Sequence, residues 1–230
     1  MNRRTAVSLF AGAAVAGAAR PARAQSLTKV RTVATALDQS GALYSAPDLG
    51  IFEKHGLDVT IETPNANTLA VPAVVSNAID IAYTNILAIE QAFDKGAPIT
   101  MIAPAAVNDS RHPNNYLLVP KNSPIKNAKE LDGKTIAGNG LKNITQVGAF
   151  AWMAKNGGDP ATTKFVEMPF SQMPAALSAG RIDAAVMAEP DLSAAVADGS
   201  VRVLGNCYDG IANNFLIGAW FTTAAWAKAH

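Results

Sequence analysis

The sequence predicts an α/β protein of two lobes, each a sheet flanked by helices, with two crossings between them. Three observations predict it. From Lys29 onward strand-like and helix-like segments alternate with short polar turns, the pattern of a largely parallel sheet covered by helices. A polar stretch at 107–115 breaks that rhythm with Asn108, Asp109, Ser110, His112, Pro113, Asn114 and Asn115, and a second series follows it. Residues 213–221 then read as a strand that crosses back.

In the first series, 30–36 is a strand. Residues 41–54 read as a helix despite Pro47, and Gly56 stands where a left-handed C-cap would end it. Leu57, Val59 and Ile61 alternate with Asp58, Thr60 and Glu62, the period of a strand with one buried face. A short helix at 72–77, a strand at 79–83, a helix at 85–95 and a strand at 99–103 complete this lobe. The second lobe has strands at 116–119, 135–137, 165–168, 184–187 and 201–204, with helices at 145–156, 174–179 and 191–197. A further helix begins at Thr223. The predicted division is 1–24 as a leader, 25–107 as the first lobe, 108–215 as the second, and 216–230 as a return to the first.

An internal echo connects the lobes. Val71-Pro72-Ala73 through Ile79-Asp80-Ile81-Ala82 matches Met173-Pro174-Ala175 through Ile182-Asp183-Ala184-Ala185, allowing one insertion. In each copy proline presets the first helical turn, a small residue closes the helix and Ile-Asp launches a buried strand. Any helix-to-strand turn of an α/β protein could share these features, so both readings stand.

The first 24 residues differ in kind. Arg3 and Arg4 precede an apolar run from Ala6 to Ala19, and Ala22-Arg23-Ala24 places small residues where a signal peptidase cuts, with Gln25 as the mature start. The run is too short and too rich in Ala and Gly to span a bilayer, which takes about 20 strongly apolar residues. The Arg pair resembles a twin-arginine signal, but Thr5-Ala6-Val7 lacks the usual Phe-Leu, so the export route stays open. No Cys follows the cleavage site to carry a lipid.

The chain is 49% hydrophobic and 16% charged over 230 residues, enough to bury a substantial core. Loss of Arg3, Arg4, Arg20 and Arg23 takes 19 basic residues to 15 against 18 acidic, a net charge that makes a nucleic-acid partner unexpected. Cys207 is the only cysteine, so no intrachain disulfide forms. No CxxC or HExxH spacing suggests a metal, and His55, His112 and His230 lie far apart.

Ligands of open α/β sheets gather at the carboxyl ends of strands, and with two lobes those ends face one another across a cleft. The candidate binding residues follow from that rule. Asp38, Gln39, Ser40 and Gly41 follow the first strand, and Tyr83, Thr84 and Asn85 follow the strand at 79–83. Asn139, Gly140, Lys142 and Asn143 precede the helix at 145–156, and Glu189 follows the strand at 184–187. The glycine-bearing turn 138–143 could present unpaired backbone N–H groups to an anion, with Lys142 adding charge; it could equally be an ordinary connection with Asn143 as helix cap. Glu189 would repel a bare anion but accept hydrogen bonds from an amine or aminopyrimidine, unless it is merely solvated before Pro190. Tyr83 suits stacking on a flat ligand or simple packing, and Asp38 suits ligand contact or turn capping. Trp152 belongs to the core.

These features together resemble the solute-binding proteins of the nitrate, sulfonate and taurine uptake family, which also includes binders of thiamine-pyrimidine precursors. Ala46, Gly50, Phe52, Gly56, Leu57 and Val59 stand at the spacing of that family's opening motif. Glu130-Leu131-Asp132-Gly133-Lys134-Thr135-Ile136-Ala137, the two Ile-Asp turns at Ile79 and Ile182, and Glu189-Pro190 add to the likeness. The resemblance implies a type II periplasmic binding-protein fold. It also implies a small organic anion or zwitterion as ligand, sulfonate- or taurine-like or aminopyrimidine-like, closure about a hinge at 107–115 and 213–218, and partners in an ABC permease and its ATPase. It implies a periplasmic monomer with no cofactor and no catalytic residue. The competing reading is a thiamine-pyrimidine-synthase-like enzyme on the same fold, whose cysteine-rich motif has no counterpart around Cys207. Family members usually continue past the point matching His230, which implies a C-terminal truncation that would leave apolar sheet surface exposed.

Overall fold

The computed structural model describes residues 26–64 and 69–230; the leader predicted at 1–24 lies outside the described residues. Ten strands form two five-stranded sheets. The first sheet is built from β1 (Thr28–Val33), β2 (Leu57–Glu62), β3 (Ile81–Asn85), β4 (Ile99–Asp109) and β10 (Asn214–Thr223), in the order β2-β1-β3-β10-β4. The second contains β5 (Asn115–Pro120), β6 (Thr135–Gly138), β7 (Lys164–Glu167), β8 (Ala184–Ala188) and β9 (Val201–Gly205), in the order β7-β6-β8-β5-β9. The fold is the type II periplasmic binding-protein architecture that the resemblance implies.

The sheets are mixed, not largely parallel. β10 runs antiparallel to both β3 and β4, and β5 runs antiparallel to both β8 and β9. The reason is topological. A chain that leaves one sheet at the carboxyl edge of its parallel strands enters the other sheet at its carboxyl edge, and must run back against that sheet's strands. The two crossings therefore lie on the same side as the strand ends and are bonded to each other. The Ser110 N–H donates to the Asn213 carbonyl at 2.9 Å, and the Asn108 amide donates to the Ala212 carbonyl at 3.2 Å.

Helices cover both faces. The helix expected at 41–54 is two short ones, α1 (Gly41–Ser45) and α2 (Ile51–Lys54), because Pro47 brings no N–H and Gly50 turns left-handed at φ 60°. Then come α3 (Ala70–Val75), α4 (Ile86–Asp94), α5 (Ile144–Lys155), α6 (Met173–Ser178), α7 (Asp191–Ala197) and α8 (Ala224–Ala229). Asn85 and Asn143 cap α4 and α5, their Oδ1 atoms accepting from Ala88 N and Thr145 N, both at 3.0 Å. Gly56, at φ 73°, is the left-handed residue that precedes β2.

Strand alternation sets the second core directly. Leu118, Ala185 and Met187 pack on the face covered by Phe170 and Met173, while Leu117, Val119, Ala184 and Val186 pack on the opposite face with Met153 and Tyr208. The echo has a structural counterpart. The Asp80 carboxylate accepts from Arg31 N at 2.7 Å and the Asp183 carboxylate from Thr135 N at 2.9 Å, so each Ile-Asp turn is tied to the strand beside it by the same bond. Each Asp N–H in turn donates to the carbonyl of that same neighbouring residue.

Candidate ligand-binding cleft

The carboxyl ends of β1, β3, β6 and β8 converge with Asn115 of β5 on two adjoining cavities. The outer cavity, about 210 Å³, has Thr35 and Thr63 on the side of the first sheet and Asn139, Ser171 and Asp191 on the side of the second. The inner cavity, about 20 Å³, is little more than water-sized and is lined by Gln39, Tyr83, Asn85, Asn115, Asn139 and Asn143, with Thr145 and Tyr208 beside them. Leu37, Asn139 and Phe170 belong to both walls, so the two spaces adjoin. Five sequence-predicted residues therefore come together: Gln39, Tyr83, Asn85, Asn139 and Asn143.

Their chemistry is that of hydroxyls and amides. Tyr83 donates its hydroxyl to Gln39 Oε1 at 2.6 Å and holds its ring 5.6 Å from that of Trp220; burial pushes its phenol pKa up, so it remains a neutral donor. Asn143 Nδ2 donates to Asn139 Oδ1 at 2.9 Å while Asn143 Oδ1 caps α5. Gly140 is required beside this pair, because a Cβ there would stand 2.6 Å from Asn143 Nδ2. Burial raises the Asp191 carboxyl. It also raises Asp38, with the negative charge of Glu189 as a lesser cause.

Other predicted residues stand elsewhere. Ser40 is buried and spends its hydroxyl on its own turn, donating toward the Thr35 carbonyl at 2.6 Å and accepting from Leu37 N. Asp38 accepts from Gln39 N at 2.7 Å, as a turn cap does, and its N–H reaches the Glu189 carbonyl at 3.4 Å across the cleft. Gly41 opens α1. Thr84 is fully buried in β3, its hydroxyl without a partner among the described residues, and it lines neither cavity.

Two N–H groups of the turn at 138–143, and two of the helix behind it, already have side-chain acceptors. Leu141 N donates to Glu167 Oε2 at 3.2 Å, Lys142 N to Gln146 Oε1 at 2.6 Å, and Thr145 N and Gln146 N to Asn143. Lys142, at φ 56°, lines a third space with Lys95 and Gln91 that adjoins the inner cavity through Asn85 and Asn143, and its carbonyl accepts from Gln91 Nε2 at 3.1 Å. Glu189 likewise turns from the cleft: its carboxylate accepts from Ser193 N at 3.0 Å and Ser193 Oγ at 2.8 Å, closing the first turn of α7.

Sequence reasoning missed Asn115, Thr145, Phe170, Asp191 and Tyr208. Asn115 belonged to the polar stretch assigned to the crossing, and its place at the start of β5 beside the strand ends was the available signal. Tyr208 gave none, since it comes to the cavity from a 3₁₀ turn packed on α5.

A family model described as NMT1/THI5 like matches residues 38–206. The chain belongs to the NMT1/THI5-like family. No curated protein matches it in sequence. Among solved structures it is similar to the alkanesulfonate-binding protein SsuA from Xanthomonas axonopodis pv. citri bound to MOPS, at 23% identity and a TM-score of 0.74, covering 88% of this chain and 68% of that one. It is also similar to the aliphatic sulphonate binding protein SsuA from Escherichia coli, at 20% identity and a TM-score of 0.71, covering 88% and 67%. The nitrate-binding protein NrtA from Synechocystis PCC 6803 matches at 17% identity and a TM-score of 0.72, covering 88% and 57%. This NMT1/THI5-like chain therefore shares its fold with these binders. Among its described residues no helix is long and apolar enough to cross a membrane.

Proposed function

We propose that this protein is the solute-binding component of an ABC uptake system. It captures a small organic anion or zwitterion, sulfonate- or taurine-like or aminopyrimidine-like, between its lobes and delivers it to a membrane permease and ATPase. The observation that carries this reading is the pair of adjoining cavities walled by both sheets at their strand ends, where α/β folds take ligands. A space of about 210 Å³ suits one substituted ring or a short chain, since about 150 Å³ accepts benzene. The ligand-binding set is Gln39, Tyr83, Asn85, Asn139 and Asn143 at the cavities, with Asp38, Ser40, Gly41, Gly140, Lys142 and Glu189 in the turns beside them and Thr84 inside β3 between Tyr83 and Asn85. Opening and closing proceed by rotation of 25–107 with 216–230 against 108–215 about the crossings. The leader exports the chain to the periplasm, where it works as a monomer.

The enzyme reading finds little support in Cys207, which is fully buried. Burial pushes its thiol pKa up and keeps it from acting as a nucleophile.

A thermal-shift screen of the chain from Gln25 onward against taurine, alkanesulfonates, nitrate and aminopyrimidines tests the proposal. A ligand at about 100 times its Kd adds about 2.7 kcal/mol, a rise of about 5–10 °C at about 2–4 °C per kcal/mol for a chain of this size. A cooperative melt that no compound moves rejects the assignment.

A further inference from the structure

The two crossings are short. Pairing of β4 with β10 ends at Asp109 and Asn214, β5 begins at Asn115 and the 3₁₀ turn Cys207–Gly210 ends the second lobe, so 110–114 and 211–213 must absorb any rotation of one lobe against the other. Ser110 stays with the first sheet, since its N–H donates to the Asn213 carbonyl at 2.9 Å. Asp209 belongs to the second lobe: its 3₁₀ turn packs on α5, and Lys155 of that helix donates Nζ to the Asp209 carbonyl at 2.6 Å. The Ser110 hydroxyl donates to Asp209 Oδ1 at 2.5 Å, so this bond spans the pivot. The same oxygen accepts from Asn206 Nδ2 at 2.7 Å, which ties the carboxylate to its own turn.

Asn108 opposes this bond. It is 1% exposed and gives Nδ2 to the carbonyls of Ala212 and Asn213 at 3.2 and 3.4 Å, while its buried Oδ1 has no partner among the described residues. A buried acceptor without a donor favours any rearrangement that supplies one, so the form in which the lobes touch needs a bond to hold it. On the other side of the turn, Tyr208 lines the inner cavity and sets its ring 5.6 Å from that of Phe215, which lies opposite Asn108 in the ladder of β4 and β10. A single turn thus carries both the carboxylate that spans the pivot and the ring that walls the cavity.

We infer that Asp209 is a positioning residue: through Ser110 it latches the two crossings in the register at which the lobes touch, and so keeps Tyr208 against the inner cavity. This rests on the reading of two lobes that open and close on a solute, and it names the group that holds them closed. Loss of the latch shifts the lobes toward the open form without removing any side chain from the cavity wall.

Pulsed EPR between nitroxide labels at Asp94→Cys on α4 and Lys164→Cys on β7, both exposed and on opposite lobes, tests this in the full chain without solute. Cys207 is buried and takes no label. Ser110→Ala is expected to move the ratio of open to closed lobes about threefold to tenfold toward open, the worth of one hydrogen bond, with little change in melting temperature. Asp209→Ala is expected to move it at least as far, and Ser110→Thr, which keeps the hydroxyl, to restore the parent distances. The same distances in the parent and in Ser110→Ala overturn the latch even if the melt falls, since a bond that only stabilises the fold moves the melt and not the lobes. A single narrow distance in every variant overturns lobe motion and the latch with it. The thermal-shift screen needs no label and this measurement no solute, so failure of the latch is told apart from failure of the solute-binding assignment.

Discussion

Asn143 shows at the level of one residue how fold and site share a side chain. Its Oδ1 takes two N–H groups of α5 while its Nδ2 fixes Asn139 at the cavity wall. Asn143→Ala should therefore lower stability by about 1 kcal/mol, the usual worth of an N-cap, read as a lower urea midpoint at unchanged slope. Asp80 sets a pH dependence. The hydrogen bond and charge of Arg31, at 2.6 Å, hold its carboxyl below the ordinary value of 3.8. A depressed carboxyl stabilises the fold fully above its unfolded value, and that contribution is lost as pH falls through the folded one. Stability should thus decline below about pH 4, and Asp80→Asn should flatten that part of the curve in acid denaturation. Both residues were visible in the sequence, Asn143 as a cap and Asp80 in the Ile-Asp echo. The carboxylate of Glu189 was misjudged because chain order places it at a strand end but does not say whether it turns outward or back onto its own helix.

Elements with strong periodic signals lie where the sequence predicts them, among them β2, β8 and α7, and the departures have local causes. The strand expected to end at Ala103 runs to Asp109 despite Pro104. Pro104 is tolerated because β4 is the outermost strand of its sheet, where a missing N–H breaks no central ladder. The 3₁₀ turn Cys207–Gly210 was not foreseen, and its packing on α5 depends on Gly210. A Cβ there would lie 2.2 Å from Trp152 N and 2.4 Å from the Ala151 carbonyl carbon, both backbone atoms that cannot swing aside. Gly210→Ala should cost about 1–3 kcal/mol as overpacking and lower Tm by several degrees in a calorimetric scan. Since this turn carries Tyr208 to the inner cavity, ligand affinity should fall with it.

For the whole molecule, the two sheets touch through few bonds, one of them Gln91 Nε2 to the Lys142 carbonyl at 3.1 Å. If the cleft closes on a solute, that bond belongs to the closed form. Gln91→Ala should then raise the dissociation rate a few-fold, about what one exposed hydrogen bond contributes, with little change in apo melting; stopped-flow release measures it. The outermost strand β4 also leaves Met101, Ile102 and Val107 in contact with solvent. From the sequence alone came the α/β class, the two series of elements, the family resemblance and the rule that strand ends hold the ligand, because periodicity, caps and turn residues are local and leave their mark in neighbouring positions. The direction of β5 and β10, the meeting of Asn115 and Tyr208 with Asn85, and the pairing of Lys142 with Lys95 in the adjoining groove were decided by the tertiary structure. Those are relations between residues far apart in the chain, set by how two sheets share their crossings.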